Sequence, residues 1–209
     1  MLEIKSVSKA YKKQSVLDTL SHTFDTGVTI ITGKSGVGKS TLLRLCASVE
    51  KPTSGDIFWQ GCSIVKRPKP FRKALGYAPQ QIDFPLDITG LDFLRYVGAL
   101  KGMSYKRASQ QGLALLERLE LKSDADKFIQ MYSGGMRRRL GLIQAFLGAP
   151  TCIILDEPTA ELDKQTAGLV NDMVFEAARD ATILMTTHLT DNLEAYPYQE
   201  YAVTGTQKK

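Results

Sequence analysis

The sequence is poor in the residues on which several kinds of chemistry depend. It has three cysteines, Cys46, Cys62 and Cys152, far apart and without metal-ligand spacing, which excludes a disulfide scaffold and a cysteine-based metal site. Cys46 and Cys152 fall in apolar segments and are expected in the core, and Cys62 follows a turn glycine; the usage suits a reduced, cytosolic setting. Histidine is as scarce: His22 falls in no motif and reads as structural, which leaves His188. No long apolar run is present; the best stretch, from Leu140 to Leu155, is broken by Gln144 and Pro150, which excludes a bilayer span. The start, Met1-Leu2-Glu3-Ile4-Lys5, mixes polar and apolar residues and does not read as a signal peptide. There is no internal repeat and no low-complexity tract. What is present suits an ordinary globular chain: 209 residues, 43% hydrophobic, 23% charged, enough for one domain with a subdomain and a real core. The net charge of +5 is compatible with a membrane surface or nucleic acid and specific to neither.

The most informative stretch is Gly33-Lys34-Ser35-Gly36-Val37-Gly38-Lys39-Ser40, followed by Thr41. It fits G-x-x-x-x-G-K-S, a loop whose backbone N–H groups close around phosphate oxygens at a helix start. The context agrees. Val28-Thr29-Ile30-Ile31 before it is a short β-branched run, a buried strand by composition, and Thr41 to Ala47 after it carries helical spacing. In such a loop Lys39 reaches the β- and γ-phosphates and the Ser40 hydroxyl ligates Mg²⁺.

Along the rest of the chain, Leu2–Val7 alternates like a strand, and Ile57-Phe58-Trp59 and Leu75-Gly76-Tyr77 read as short strands. Between these two lies the basic, proline-bearing stretch Lys66-Arg67-Pro68-Lys69-Pro70; the span from Lys66 to Lys73 reads as a solvated turn without the interleaved aromatics of an RNA site. From about Gly90 to Leu121 the pattern is helical, with Leu91, Leu94, Tyr96 and Val97 on one apolar stripe and Leu113, Leu115, Leu116 and Leu119 on another. Gly134 to Leu147 reads as a third helix with Ser133 as its N-cap. Thr151–Leu155 then reads as a strand, Lys164–Ala178 as a helix and Thr182–Met185 as a strand. Alternation of strand and helix at both ends predicts an α/β fold, a mostly parallel sheet with helices on its faces and a helical insert between.

Two further constellations carry chemistry. Cys152-Ile153-Ile154-Leu155-Asp156-Glu157 is an apolar strand ending in two acids; beside a phosphate loop, the first acid suits Mg²⁺ and the second suits a base for the attacking water. Tyr132-Ser133-Gly134-Gly135-Met136-Arg137-Arg138-Arg139-Leu140 places a hydroxyl and two glycines at a helix start, which makes a second anion site.

With these elements in this order, the chain resembles the nucleotide-binding subunits of ATP-binding cassette (ABC) transporters through most of its length. The resemblance implies a P-loop NTPase core with a small antiparallel β subdomain and a helical subdomain: residues 1–83 and 151–209 as core, 84–150 as the helical part carrying the signature Tyr132–Leu140. It implies ATP and Mg²⁺ as cofactors. Gln80, after Leu75-Gly76-Tyr77-Ala78-Pro79, is then the glutamine-loop residue, with Gln81 the alternative. Ser40, Gln80 and Asp156 are the implied metal ligands. Glu157, His188 (in Thr186-Thr187-His188) and Lys39 are the implied catalytic groups, Ala160-Glu161-Leu162-Asp163 the D-loop, and Tyr11 the aromatic that stacks on adenine. Ser133, Gly134 and Gly135 are expected to meet the γ-phosphate held by a second copy, in a head-to-tail dimer with two ATP molecules between the chains. The sequence departs from the family where Tyr132 replaces a common leucine, Glu161 a small residue and Lys164 a common proline.

For the work driven by ATP, Tyr132-Ser133-Gly134-Gly135-Met136 resembles the multidrug, antibiotic and lipid exporter branch. The expectation is a motor for separate transmembrane permease subunits, peripheral at the cytoplasmic face of the cell membrane and more simply a homodimer than paired with a paralogue. The short stretch after His188 leaves no room for a sizeable C-terminal regulatory domain. The alternative is a soluble cassette ATPase in cofactor assembly or in ribosome or nucleic-acid work. Long coiled-coil insertions and a second cassette are lacking, so no nucleic-acid partner is expected. A phosphate-loop kinase is disfavoured by the second anion site and by the histidine after the last strand.

Overall fold

The computed structural model describes residues 1–12, 14–187, 193 and 195–204. Two sheets share the chain. β1 (Leu2–Tyr11), β2 (Gln14–Phe24), β4 (Ser54–Trp59) and β5 (Cys62–Ser63) form an antiparallel sheet in the order β2-β1-β4-β5. β3 (Gly27–Thr32), β6 (Leu75–Ala78), β7 (Cys152–Asp156), β8 (Thr182–Thr186) and β9 (Gln199–Ala202) form a five-stranded parallel sheet in the order β6-β7-β8-β3-β9.

The parallel strands are apolar without alternation because both faces are covered. Ile153 and Leu155 of β7 and Ile183 and Met185 of β8 join the core on one face, while Cys152, Ile154 and Leu184 join the core on the other. The first core receives α3 (Gly90–Leu100), α4 (Tyr105–Arg118), α5 (Gly134–Phe146) and α6 (Lys164–Ala177); the second receives α1 (Lys39–Cys46) and the inner face of the antiparallel sheet. Side chains alternate along a strand, so Asp156, two residues beyond Ile154, lies on the α1 side. That parity decides which acid faces the glycine loop.

Several expectations are corrected. The stretch from Lys66 to Lys73 is not a turn throughout: Pro68–Ala74 is a helix, α2, with Phe71 buried 5.8 Å from the Trp59 ring centroid. Its prolines occupy the first turn, where no N–H is needed. Tyr96 is not on the buried stripe of α3; it is 59% exposed, and Phe93 and Gly98 are buried instead. Strands β2 and β9 had no counterpart in the sequence reading. Cys46 and Cys152 are buried as anticipated, and Cys62 is exposed. His22 packs its ring on Phe24 and Tyr201, at 4.7 and 4.4 Å between centroids. Among the described residues, no helix is long and apolar enough to cross a membrane.

Candidate functional site

The parallel sheet brings the chemistry to one edge. β6, β7, β8 and β3 all run the same way, so Gln80, Asp156 with Glu157, Thr186 and the loop from Gly33 follow four neighbouring C-terminal ends. That edge is where open α/β sheets receive ligands. Asp156 pairs in register with Thr186 on β8, whose own neighbour is β3; two strand spacings, about 10 Å, separate the acid's strand from the strand that feeds the loop.

The loop itself is held open by glycine. Gly33 and Gly38 have φ of 137° and 109°, and a Cβ at either would come within 3 Å of another atom, the Val203 carbonyl oxygen at 2.7 Å and Leu17 Cδ2 at 2.8 Å. Lys39 Nζ folds back to donate to the carbonyls of Gly33 (2.8 Å) and Lys34 (3.3 Å). Behind the loop, α1 starts on Gly38 with no side-chain cap. Thr89, Ser104, Ser133 and Asp163 cap α3, α4, α5 and α6 with a side-chain oxygen, while α2, uncapped like α1, begins on a proline that has no N–H to satisfy. The first N–H groups of α1 are thus left for an acceptor from outside, and a phosphate is the acceptor that suits a helix start with a lysine beside it.

Beside the loop, Thr186 organises the acids. Its hydroxyl donates to Asp156 Oδ1 at 2.7 Å and accepts the Glu157 N–H at 2.9 Å. Asp156 is 5% exposed, and Glu157 has a left-handed φ of 54°. Tyr77 lies close enough that burial, and then the Asp156 charge, pushes its phenol up to about 12, so it stays neutral at any working pH. Among the described residues, no three His, Cys, Asp or Glu side chains gather to cage a metal. The nearby donors are hard oxygens, the Ser40 hydroxyl and the Asp156 carboxylate, which fits Mg²⁺, an ion commonly held by one or two protein oxygens together with substrate phosphates.

Tyr11 is 40% exposed at the end of β1 and tethered toward α1. Its hydroxyl donates to Glu50 Oε2 at 2.5 Å, Arg44 Nε binds the other Glu50 oxygen at 2.7 Å, and Arg44 also reaches Thr41. Burial would raise the Glu50 carboxyl, but Tyr11, Lys9 and Arg44 outweigh it and hold it below the usual range. Lys9 Nζ lies 4.9 Å from the Tyr11 ring centroid. The ring is thereby fixed at the flank of the helix that opens the loop.

The stretch expected to make a second anion site lies at the start of α5. Ser133 accepts from Met136 N–H at 3.2 Å and caps α5. Ser133, Gly134 and Gly135 are all exposed, and a Cβ at either glycine would meet nothing within 4 Å. Among the described residues nothing therefore requires glycine there. Tyr132 has a structural cause instead: it is buried, its hydroxyl donates to the Asp124 carbonyl at 2.7 Å, and Gly90 makes room for it.

A cavity of about 340 Å³ lies between these parts, lined among others by Gln80, Gln81, Gly134, Arg138, Asp156 and Glu161, and by none of residues 33–41. His188 lies outside the described residues. Two groups escaped the sequence reading. Thr186 was seen only as part of the stretch before His188, and Arg138, which donates to the main-chain carbonyls of Gln80 and Glu157, was read only as one of three arginines.

The chain is similar to known proteins in sequence and in fold. The model of the family described as ABC transporter matches residues 17–160. The chain is 35% identical over 195 residues to an uncharacterized ABC transporter ATP-binding protein, YxlF, of Bacillus subtilis, covering 93% of this chain and 64% of that one. It is likewise 35% identical over 195 residues to the Nod factor export ATP-binding protein I of Paraburkholderia xenovorans, covering 92% and 64%. A solved structure of the ATP-binding subunit of an ABC transporter superposes with a TM-score of 0.88 at 26% identity, over 97% of this chain and 88% of the other.

Proposed function

The chain belongs to the ABC transporter family, and we propose that it is the ATP-hydrolysing motor subunit of an exporter, working as a head-to-tail dimer on separate membrane-spanning subunits. The observation that carries the nucleotide site is the uncapped start of α1 behind a glycine loop, at the same sheet edge as Asp156 and Glu157. The observation that supports a dimer is the pair Gly134 and Gly135, exposed and unconstrained within the chain. Bare glycine at a helix start lets a phosphate on another molecule approach the backbone closely.

In this reading the α1 N–H groups and Lys39 hold the β- and γ-phosphates, and Tyr11 offers the exposed part of its ring to adenine. Ser40, Asp156 and Gln80 would hold Mg²⁺, which would supply charge neutralisation on the phosphate oxygens. Glu157 accepts a proton from the attacking water, its peptide fixed by Thr186. His188 belongs to the same proposal on sequence grounds. Ser133, Gly134 and Gly135 meet the γ-phosphate of a second copy. ATP then bridges two surfaces, and loss of the terminal phosphate weakens the bridge. Export as the direction rests on the Tyr-Ser-Gly-Gly-Met signature and on the name of the Nod factor export relative. Peripheral attachment at the cytoplasmic membrane face through permease subunits follows from the same reading, as does the assignment of residues 84–150 to a helical subdomain that passes motion to them.

The test uses Glu157→Gln, expected to keep ATP binding and to lower turnover roughly 10²–10⁴-fold. Saturated with MgATP, this variant should sediment as a dimer; monomers alone, with its natural companion proteins present, would refute the sandwich. Detergent co-purification should recover a multi-span membrane protein. Recovery of soluble assembly or ribosomal proteins instead would favour a soluble cassette ATPase.

A further inference from the structure

Arg138 ties the main chain that follows β6 to the main chain that follows β7. It projects from the second turn of α5 into the cavity shared by Gln80 and Asp156. One terminal nitrogen donates to the Gln80 carbonyl; the other donates to the Glu157 carbonyl and lies 3.5 Å from the Asp156 carbonyl. The contacts join residues 58, 19 and 18 positions apart in sequence, so they report tertiary placement and not local helix chemistry. The cavity that α5 shares with the two segments is thus crossed by a planar cation with a fixed fork of donors, a geometry lysine cannot reproduce.

Glu157 is among the described non-glycine residues whose backbone needs such support. Its φ of 54° is a left-handed conformation that a non-glycine residue adopts only when its surroundings hold it. Thr186 holds its N–H and Arg138 holds its C=O, so the peptide groups on both sides of the Glu157 side chain are fixed. The same guanidinium fixes the Gln80 peptide, and with it the relative position of two groups that the reading above places around the reacting water. We propose that Arg138 is a positioning residue: it sets the Gln80 and Glu157 main chain in one geometry and thereby makes Glu157 an effective base. This rests on the assignment of Glu157 as that base. Arg138 touches neither nucleotide nor water in this scheme; it acts through Glu157 and Gln80. Because it sits on the helix whose start carries Ser133, the support moves with α5.

Arg138→Met keeps length and loses every donor. In the purified chain it should lower kcat for ATP about 10–100-fold, the cost of misplacing a reacting group by about 1 Å, with KM and the calorimetric affinity for ATP changed less than about threefold. Arg138→Lys, with one donor group in place of the fork, should fall between. In the Glu157→Gln background, adding Arg138→Met should cost single-turnover rate less than it costs the parent, since only the Gln80 arm is left to position. A kcat within about twofold of the parent, or a full additional loss in the Glu157→Gln background, would overturn the proposal. If Glu157→Gln itself turns over normally, it is the base assignment that fails, and the two failures are thus distinguishable. Should the Met variant not fold, Arg138→Lys decides through the same cycle, and parent-like kcat in it is the overturning result.

Discussion

Lys39 shows how a single side chain is prepared for a ligand. With its ammonium on the carbonyls of Gly33 and Lys34, it spans the loop it closes. Those carbonyls are neutral acceptors, and a charged phosphate oxygen is a better partner for an ammonium, with charged hydrogen bonds contributing about 1.5–3 kcal/mol each. Lys39→Ala should therefore weaken ATP binding at least about 100-fold, and a calorimetric titration that finds unchanged affinity would contradict the loop assignment. The loop residues, the Ser133 cap and the Asp156-Glu157 pair were legible because each is a local pattern, a glycine spacing or a cap or a strand end, that needs no knowledge of the rest of the chain. Thr186 and Arg138 were not legible, because their roles exist only across 30 residues in one case and 58 in the other. A serine or a third arginine would have read the same in a sequence pass.

At the scale of elements, legibility followed burial. The parallel strands β3, β6, β7 and β8 announced themselves as apolar runs because both faces are covered. β2 did not: it lies at the sheet edge, its exposed and buried residues alternate irregularly, and its register against β1 shifts between Ile4 and Val7 and again on either side of Lys9, so no clean period of two survives. The helical insert was legible as helices but not as a joint. Lys101, just past α3, donates to the Leu147 carbonyl at 2.7 Å, and Gln111 of α4 accepts the neighbouring Gly148 N–H at 3.0 Å, so two helices grip the end of α5. Burial pushes the Lys101 ammonium down to about 8 from 10.5. Between those values the unfolded chain binds the proton and the folded chain does not, so this group's contribution to stability rises with pH across that window; below pH 8 the folded state carries the full cost of a buried charge. Replacement by an apolar side chain removes that dependence. The stability difference between Lys101→Met and the parent should shift in the parent's favour by on the order of 2 kcal/mol between pH 7 and 10.5. Chemical denaturation at a series of pH values measures it; parallel curves would place Lys101 in water instead.

For the whole molecule, the proposed function assigns the chain two different anion sites, of which its own phosphate loop needs only one. The Ser133 stretch is exposed, capped and followed by two glycines that meet nothing among the described residues. The proposal places its purpose in another molecule, most simply a second copy related by a two-fold axis that makes two equivalent sites. In that arrangement each complete site takes Lys39 from one chain and Ser133 from the other. Lys39→Ala disables the loop side of every site in its own dimers; Ser133→Arg fills the signature side of every site in its own, at about 1 kcal/mol for the lost cap. Each variant alone should be inactive. A mixed pair, however, holds one site with both defects and one site with neither. Random exchange makes half the dimers mixed, so an equimolar mixture should recover up to about a quarter of the parent ATPase activity. If the two anion sites instead served a single chain, each polypeptide would carry its own defect wherever it went, and mixing would restore nothing.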